Sequence, residues 1–210
     1  MQIRIIRPAD RWQFSRPLME MHHHRKQVFI DALGWELAAR GSWIEVDEFD
    51  NDHAVYVMAI SSDGNRHLGS VRLLPTTQPH MLTTVFHDLC PGGAPNGADV
   101  WEISRFVASP DGAEGMNIFR IHRLIASALV EFAAINGINR YTLVAESRRV
   151  PALLSVGWTV RPISLPTLCG EEHVEAMEIV IDGESIAGMV RRLAFRGESA
   201  LAFSDCGGSA

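Results

Sequence analysis

The chain has 210 residues, 47% of them hydrophobic and 21% charged, a globular balance that suits one domain or at most two small ones. A net charge of −6 and a pI near 5.8 argue against a general nucleic-acid binder, which needs a basic surface to neutralise phosphates, while leaving room for a local basic patch. The opening MQIRIIRPADRW carries scattered charge rather than a signal-peptide core, and the longest apolar-leaning run, residues 124–138, is short and interrupted by Glu131; both point to a cytoplasmic protein with no membrane span.

In chain order, residues 11–37 carry a helical pattern, with Met19, Val28, Phe29, Ala32, Leu33 and Trp35 at three- and four-residue spacings. Pro17 is expected to divide this stretch into two pieces. Residues 42–52 are acidic and irregular. Residues 53–61 (HAVYVMAIS) read as a strand, Asp63-Gly64-Asn65 as a hairpin turn, and residues 68–74 (LGSVRLL) as the returning strand, stopped by Pro75. Residues 91–99, rich in Gly and Pro, form a loop, and residues 100–108 (VWEISRFVA) a further strand. Residues 117–136 are the clearest helix, with Ile118, Ile121, Leu124, Ile125, Ala128, Leu129 and Phe132 on one side and Gly137 as its cap. A strand at 141–145, a short helix at 150–156, strands near 158–163 and 176–181, and a last helix near 185–193 complete the pattern. The expected fold is α/β, a three-layer sandwich with a mixed central sheet, in which residues 100–145 make a strand–helix–strand crossover with parallel strands. A single domain is expected over residues 1–203, with the small polar residues 204–210 as a flexible tail.

Several segments carry residues suited to chemistry. In WEISRF, Glu102 and Ser104 share one face of the strand and Arg105 points to the other unless a bulge intervenes. A buried carboxylate at that point is a candidate general base, although an incidental ion pair explains it as well. Asp47 and Asp50, in an acidic loop that begins at Glu45, suit a cationic ligand, a metal, or simple bonding to their own loop; the spacing lacks the further ligands of a calcium loop. Arg25 and Phe29 share a helix face, and Trp35 can turn over the same pocket, where aromatic walls stack on a base or attract a sulfonium. Ordinary core packing accounts for the two rings equally. His22, His23 and His24 are consecutive, so they fan around a helix and cannot hold one ion; no metal site is expected. The cysteines Cys90, Cys169 and Cys206 are dispersed and read as free thiols. No phosphate-binding loop, GxGxxG fingerprint or GxSxG elbow occurs.

Taken together and in order, Arg25, Phe29, Trp35, Asp47, Asp50, Arg72 in SVRLLPTT, Phe86 in MLTTVF, and Glu102 and Arg105 in WEISRF resemble the acyl-homoserine-lactone (autoinducer) synthase family, over about residues 20–160. The resemblance implies a fold similar to the GCN5-related N-acetyltransferases, with a cleft where two parallel strands splay apart. It implies that the amine of S-adenosylmethionine is acylated from acyl carrier protein or acyl-coenzyme A, followed by lactonisation with loss of methylthioadenosine. These are substrates, and no cofactor is implied. On that reading Glu102 is the base, directly or through a water. Asp47 and Arg105 hold the ammonium and carboxylate of S-adenosylmethionine, and Arg25, Phe29 and Trp35 surround the rest. Arg72 and Asp50 either brace the network or touch substrate, Ser104 counts among the substrate-binding residues, and Phe86 lines the cleft. Thr142 borders the acyl pocket, where its hydroxyl suits a 3-oxo group or is a plain strand residue. Arg148 and Arg149 suit an acidic carrier protein or are a solvated helix start. Two rivals remain: a coenzyme A-dependent N-acyltransferase for another amine, weakened by the missing RxxGxG/A loop, and a non-catalytic ligand-binding domain.

Overall fold

The computed structural model describes residues 1–35, 37, 42–110, 118–184 and 186–187. The expected tail and nearly all of the last helix lie outside them. The described strands are β1 (Gln2–Ile6), β2 (Val55–Ile60), β3 (His67–Pro75), β4 (Val100–Ala108), β5 (Arg140–Glu146), β6 (Thr159–Pro162), β7 (Thr167–Cys169) and β8 (Glu172–Val180); the helices are α1 (Ser15–Arg25), α2 (Ile118–Asn136) and α3 (Val150–Ser155). The sheet runs β1-β2-β3-β4-β5-β8-β6, with β7 on β8. All neighbours pair antiparallel except β4 and β5, the parallel pair joined through α2.

Alternation along the strands decides the layers. On β2, Val55, Val57 and Ala59 face the core shared with Ile121, Ile125, Leu129 and Phe132 of α2, whereas Tyr56, Met58 and Ile60 face Leu18 and Met21 of α1. A strand covered on both faces reads as a continuous apolar run, which is why VYVMAI does. Each large α2 side chain buried this way contributes about 1.5–3 kcal/mol. Gly69 on β3 sits directly under α2: a Cβ there would lie 2.7 Å from Ile121 Cγ2. Gly137, at φ 67, ends α2 as expected, and the Ile138 N–H reaches back to the Ala133 carbonyl at 2.9 Å.

Three differences from the expectations matter. Pro17 does not divide the first helical region; it lies inside the first turn of α1, where backbone N–H groups have no intrahelical partner to lose. The change comes instead before Ser15, from a 3₁₀ turn over Pro8–Phe14, and after Arg25, where the helix widens into a π-helix over Lys26–Ala32. Strands β1 and β7 were not anticipated. The third is the seam between β4 and β5: only Val100, Trp101 and Glu102 pair, with Arg140, Tyr141 and Thr142. Beyond Glu102 the two strands part, β4 keeping β3 and β5 keeping β8.

Candidate active site

The acidic loop, the end of α1 and strands β3 and β4 meet on the α1 side of the sheet in a cluster of three guanidiniums and three carboxylates. Arg25, wholly buried, grips Asp50 with both terminal nitrogens, at 2.8 and 3.0 Å, and gives its Nε to Glu45. Arg72, also buried, donates to both oxygens of Asp47, to Asp50 at 2.9 Å, and through Nε to Ser104 Oγ at 3.0 Å. Arg105 reaches Glu45 at 3.1 Å and Asp47 at 2.8 Å. Tyr56 closes the ring with its hydroxyl on Asp50 at 2.7 Å. Paired guanidinium–carboxylate geometry of this kind satisfies charges that burial would otherwise penalise heavily. Burial pushes Asp50 upward, but Arg25 and Arg72 outweigh it and hold the carboxyl far below the usual carboxylate range. Burial, then the Asp50 charge, pushes the Tyr56 phenol up.

Strict alternation would place Arg105 on the face opposite Ser104. A bulge prevents this: Ser70 and Arg72, two apart on β3, pair with Val107 and Ser104, three apart on β4. Arg105 takes the extra position with φ 52, the only positive φ among described non-glycine residues. A left-handed backbone costs a non-glycine residue about 1–2 kcal/mol. The two acids, and the Phe29 ring 5.6 Å from the guanidinium, hold it there. Phe29 in turn stacks on Trp35, with centroids 4.8 Å apart. The widened helix turn and Gly34 at φ 70 bring those two rings together. Asp47, at 19% side-chain exposure against 2% for Asp50, is the most open acid of the cluster.

Glu102 stands at the last rung of the β4–β5 seam, beside Thr142. It is 1% exposed, and each of its oxygens accepts a backbone N–H, from Met81 and Leu82, both at 2.8 Å. Burial raises its pKa, against those bonds and the charges of His80 and Arg72. Thr142 is fully buried, and among the described residues its Oγ1 has no hydrogen-bond partner. Past this rung, Val144, Val174 and Ala176 pack with Leu82, Phe86, Leu89 and Cys90 in an apolar cluster. Phe86 packs against the α1 core as well, so its ring bridges the two clusters. Arg148 and Arg149 lie apart from all this. Both bind Glu146, and Arg148 also meets Glu172 at 3.2 Å, so four opposed charges largely balance there.

Sequence reasoning brought together Arg25, Phe29, Trp35, Asp47, Asp50, Arg72, Ser104 and Arg105, and the structure joins them in one network. It passed over Glu45, Tyr56 and His80. Glu45 was the recoverable one: three arginines need three acids, and Glu45 begins the same loop. Of the three histidines, His22 ties α1 to the Glu45 carbonyl at 2.8 Å and His24 meets His67 in the core at 2.7 Å, which makes these two packing groups.

The sheet thus opens beside its one parallel pair, with a buried carboxylate at the fork. The fold is similar to that of a putative N-acetyltransferase from Lactobacillus plantarum, at TM-score 0.56 and 16% identity, over 87% of this chain and 100% of that one, a likeness of fold alone. The chain belongs to the autoinducer synthase family, whose model matches residues 13–189, and is an acyltransferase, an acyl-homoserine-lactone synthase. It is 39% identical to the acyl-homoserine-lactone synthase of Ralstonia solanacearum, over 80% of this chain and 83% of the relative. To the isovaleryl-homoserine lactone synthase of Bradyrhizobium diazoefficiens it is 29% identical, over 86% and 79%. A coenzyme A-dependent acyl-homoserine lactone synthase solved with S-adenosylmethionine and isopentyl-coenzyme A superposes at TM-score 0.84, with 26% identity over 96% of this chain and 92% of that one. Among the described residues, no helix is long and apolar enough to cross a membrane.

Proposed function

We propose that the charge cluster takes the amino-acid end of S-adenosylmethionine and that the fork between β4 and β5 takes the acyl thioester, with Glu102 between them. The observation that carries this is the placement of Glu102: buried at the last shared rung, with the ion-paired cluster on its own half of the sheet and an apolar cluster beyond Thr142. Asp47 and Arg105 pair with each other and are the members suited to a zwitterion. Asp47 answers the ammonium and Arg105 the carboxylate, while Arg25, Arg72, Asp50 and Ser104 fix the two in place. Phe29 and Trp35 give a stacked aromatic wall for the sulfonium and adenine, where a cation over a ring gains about 0.5–2 kcal/mol.

The incoming amine is an ammonium at neutral pH and has to lose a proton before it attacks the thioester carbon. Glu102, raised by burial toward the working pH, takes that proton directly or through a water; such help is typically worth about 10²–10⁴ in rate. The facing backbone groups of β4 and β5 beyond the rung carry no bonds to each other, which leaves donors for the developing oxyanion. Lactonisation then needs the bound carboxylate aligned behind the carbon bearing sulfur, a positioning task. Thr142 offers its unpartnered hydroxyl to an oxygen at the 3-position of the acyl chain. Acyl-coenzyme A is the donor favoured by the likeness to coenzyme A-dependent synthases, and the mutual pairing of Arg148 and Arg149 with Glu146 and Glu172 leaves little charge for an acidic carrier.

The test is mass spectrometry of purified enzyme with S-adenosylmethionine and a series of acyl-coenzyme A and acyl-carrier-protein donors. Expected products are an N-acyl-homoserine lactone and methylthioadenosine in equal amounts. Glu102→Gln should still bind S-adenosylmethionine but lose about 10²–10⁴ in acylation. An acylated amine without methylthioadenosine would make the protein a simple N-acyltransferase and overturn the reading.

A further inference from the structure

The two N–H groups that hold Glu102 come from neighbouring residues of the short turn Met81–Thr83, and their side chains enter different clusters. Met81 belongs with Met21, Phe49 and Tyr56 in the α1 core, and its sulfur receives Arg72 Nη2 at 3.7 Å. Leu82, 1% exposed, belongs instead with Phe86, Leu89, Cys90, Val144 and Ala176 in the apolar cluster. The turn that carries both is tied to itself. The Thr83 N–H donates to the His80 carbonyl at 3.1 Å, and the His80 N–H to Thr83 Oγ1 at 3.2 Å. The Phe86 N–H reaches the Met81 carbonyl at 2.9 Å, which brings that ring into the same unit. In a close-packed interior, a displaced Leu82 side chain carries its own N–H with it.

We propose that Leu82 is a specificity-determining and positioning residue for acylation: its side chain reads the acyl chain, and its N–H sets where Glu102 stands. The inference rests on the reading above, in which the acyl chain lies against the apolar cluster. A chain that fits leaves the turn in place, and the Leu82 N–H keeps its 2.8 Å bond to Glu102 Oε2. One that is too long or too branched pushes the Leu82 side chain, and the carboxylate loses one of the two donors that orient it. A reacting group misplaced by about 1 Å costs about 10²-fold in rate. Binding energy from the remote tail is thereby spent at the reacting carbon, so a wrong chain is rejected in kcat more than in KM. Val174 offers the contrast. It belongs to the same cluster but stands on β8, two strands away from Glu102.

The test measures kcat and KM with purified enzyme over acyl-coenzyme A donors of rising length and branching, following thiol release and methylthioadenosine formation. In the wild type the donors should differ mainly in kcat. Leu82→Ala keeps the N–H and removes the side chain. It should raise the kcat of bulky donors, relative to the donor the wild type uses best, by about tenfold or more, with KM ratios held within about threefold. Val174→Ala should move donor preference through KM instead. Leu82→Met, close in volume but different in shape, carries the test if Leu82→Ala melts too low to assay, and should reorder kcat across the series. A preference that changes only in KM makes Leu82 an ordinary wall of the pocket and overturns the proposal. So does a fall in kcat that is equal for every donor, the mark of a damaged turn. A kcat shift of the same size in Val174→Ala overturns it as well. A wild-type enzyme that releases neither thiol nor methylthioadenosine with any donor overturns the functional reading itself, and the role of Leu82 with it.

Discussion

Glu45→Gln should unfold the protein far more readily although the side chain keeps its size. Glu45 is 1% exposed and, among the described residues, is the only acid shared by Arg25 and Arg105 at hydrogen-bond distance, with Arg105 Nε and Nη2 at 3.2 and 3.1 Å. The substitution leaves three buried or nearly buried cations facing two anions. Removing one partner of a buried pair costs about 3–5 kcal/mol, because the charge left behind stays desolvated. The Gln carbonyl still accepts from one arginine, which sets the expectation near the lower end, about 3 kcal/mol. For a chain of this size each kcal/mol is worth about 2–4 °C, so the melting temperature should fall by about 6–12 °C. Urea unfolding followed by circular dichroism measures the free energy directly. The double variant Glu45→Gln/Arg105→Gln restores two against two, and should recover about 1–3 kcal/mol relative to additivity. A single variant within about 1 kcal/mol of wild type would refute the claim that the cluster is held by charge balance, since surface changes commonly fall in that range.

Asp50 predicts the acid limb of stability. Its folded pKa lies below the unfolded value of about 3.9, so between the two the unfolded chain binds more protons and stability rises with pH. That contribution is complete above the unfolded pKa and lost as pH falls through the folded one; denaturant titrations at stepped pH should show the slope, and Asp50→Asn should flatten it. Thr142→Val replaces an unpartnered buried hydroxyl by a methyl of similar shape, and should stabilise the unliganded protein by about 1 kcal/mol in thermal melts. The same variant should lose any preference for 3-oxo donors by roughly 2–10-fold, the worth of one ordinary hydrogen bond, in competition assays with matched acyl chains. Gly69→Ala drives a methyl to 2.7 Å from Ile121 Cγ2 and 3.3 Å from the Val107 carbonyl, an overpacking expected to cost about 1–3 kcal/mol; adding Ile121→Val should return part of it.

How much was legible follows from what spacing can encode. Helix α2 and the strands on either side stood out because their apolar faces repeat at the right period and are buried along their whole length. β1 escaped because Arg4 interrupts QIRII on an edge, and β7 because it is three exposed residues paired through the turn at Gly170. The members of the site came into view through their order along the chain and its family resemblance. Their pairing did not: Arg25 finds Asp50 and Glu45, and Arg105 finds Glu45 from sixty residues away, contacts that no local pattern records. The orientation of Arg105 depended on one extra residue in β4, which inverts every inference drawn from alternation beyond it.

The three-rung seam divides labour between the two halves of the sheet. Arg25, Glu45, Asp47, Asp50, Arg72, Arg105 and Glu102 all come from segments before it or from β4, whereas Thr142, Val144, Val174 and Ala176 come from β5 and β8 beyond it. On the proposed reading, a change of side chain on β5 or β8 alters the acyl side of the site without touching the ion pairs. The stretch between β3 and β4 belongs to both halves, since Leu82 holds Glu102 and also packs with Phe86, Leu89, Cys90 and Ala176 in the apolar cluster, so a substitution there reaches both at once.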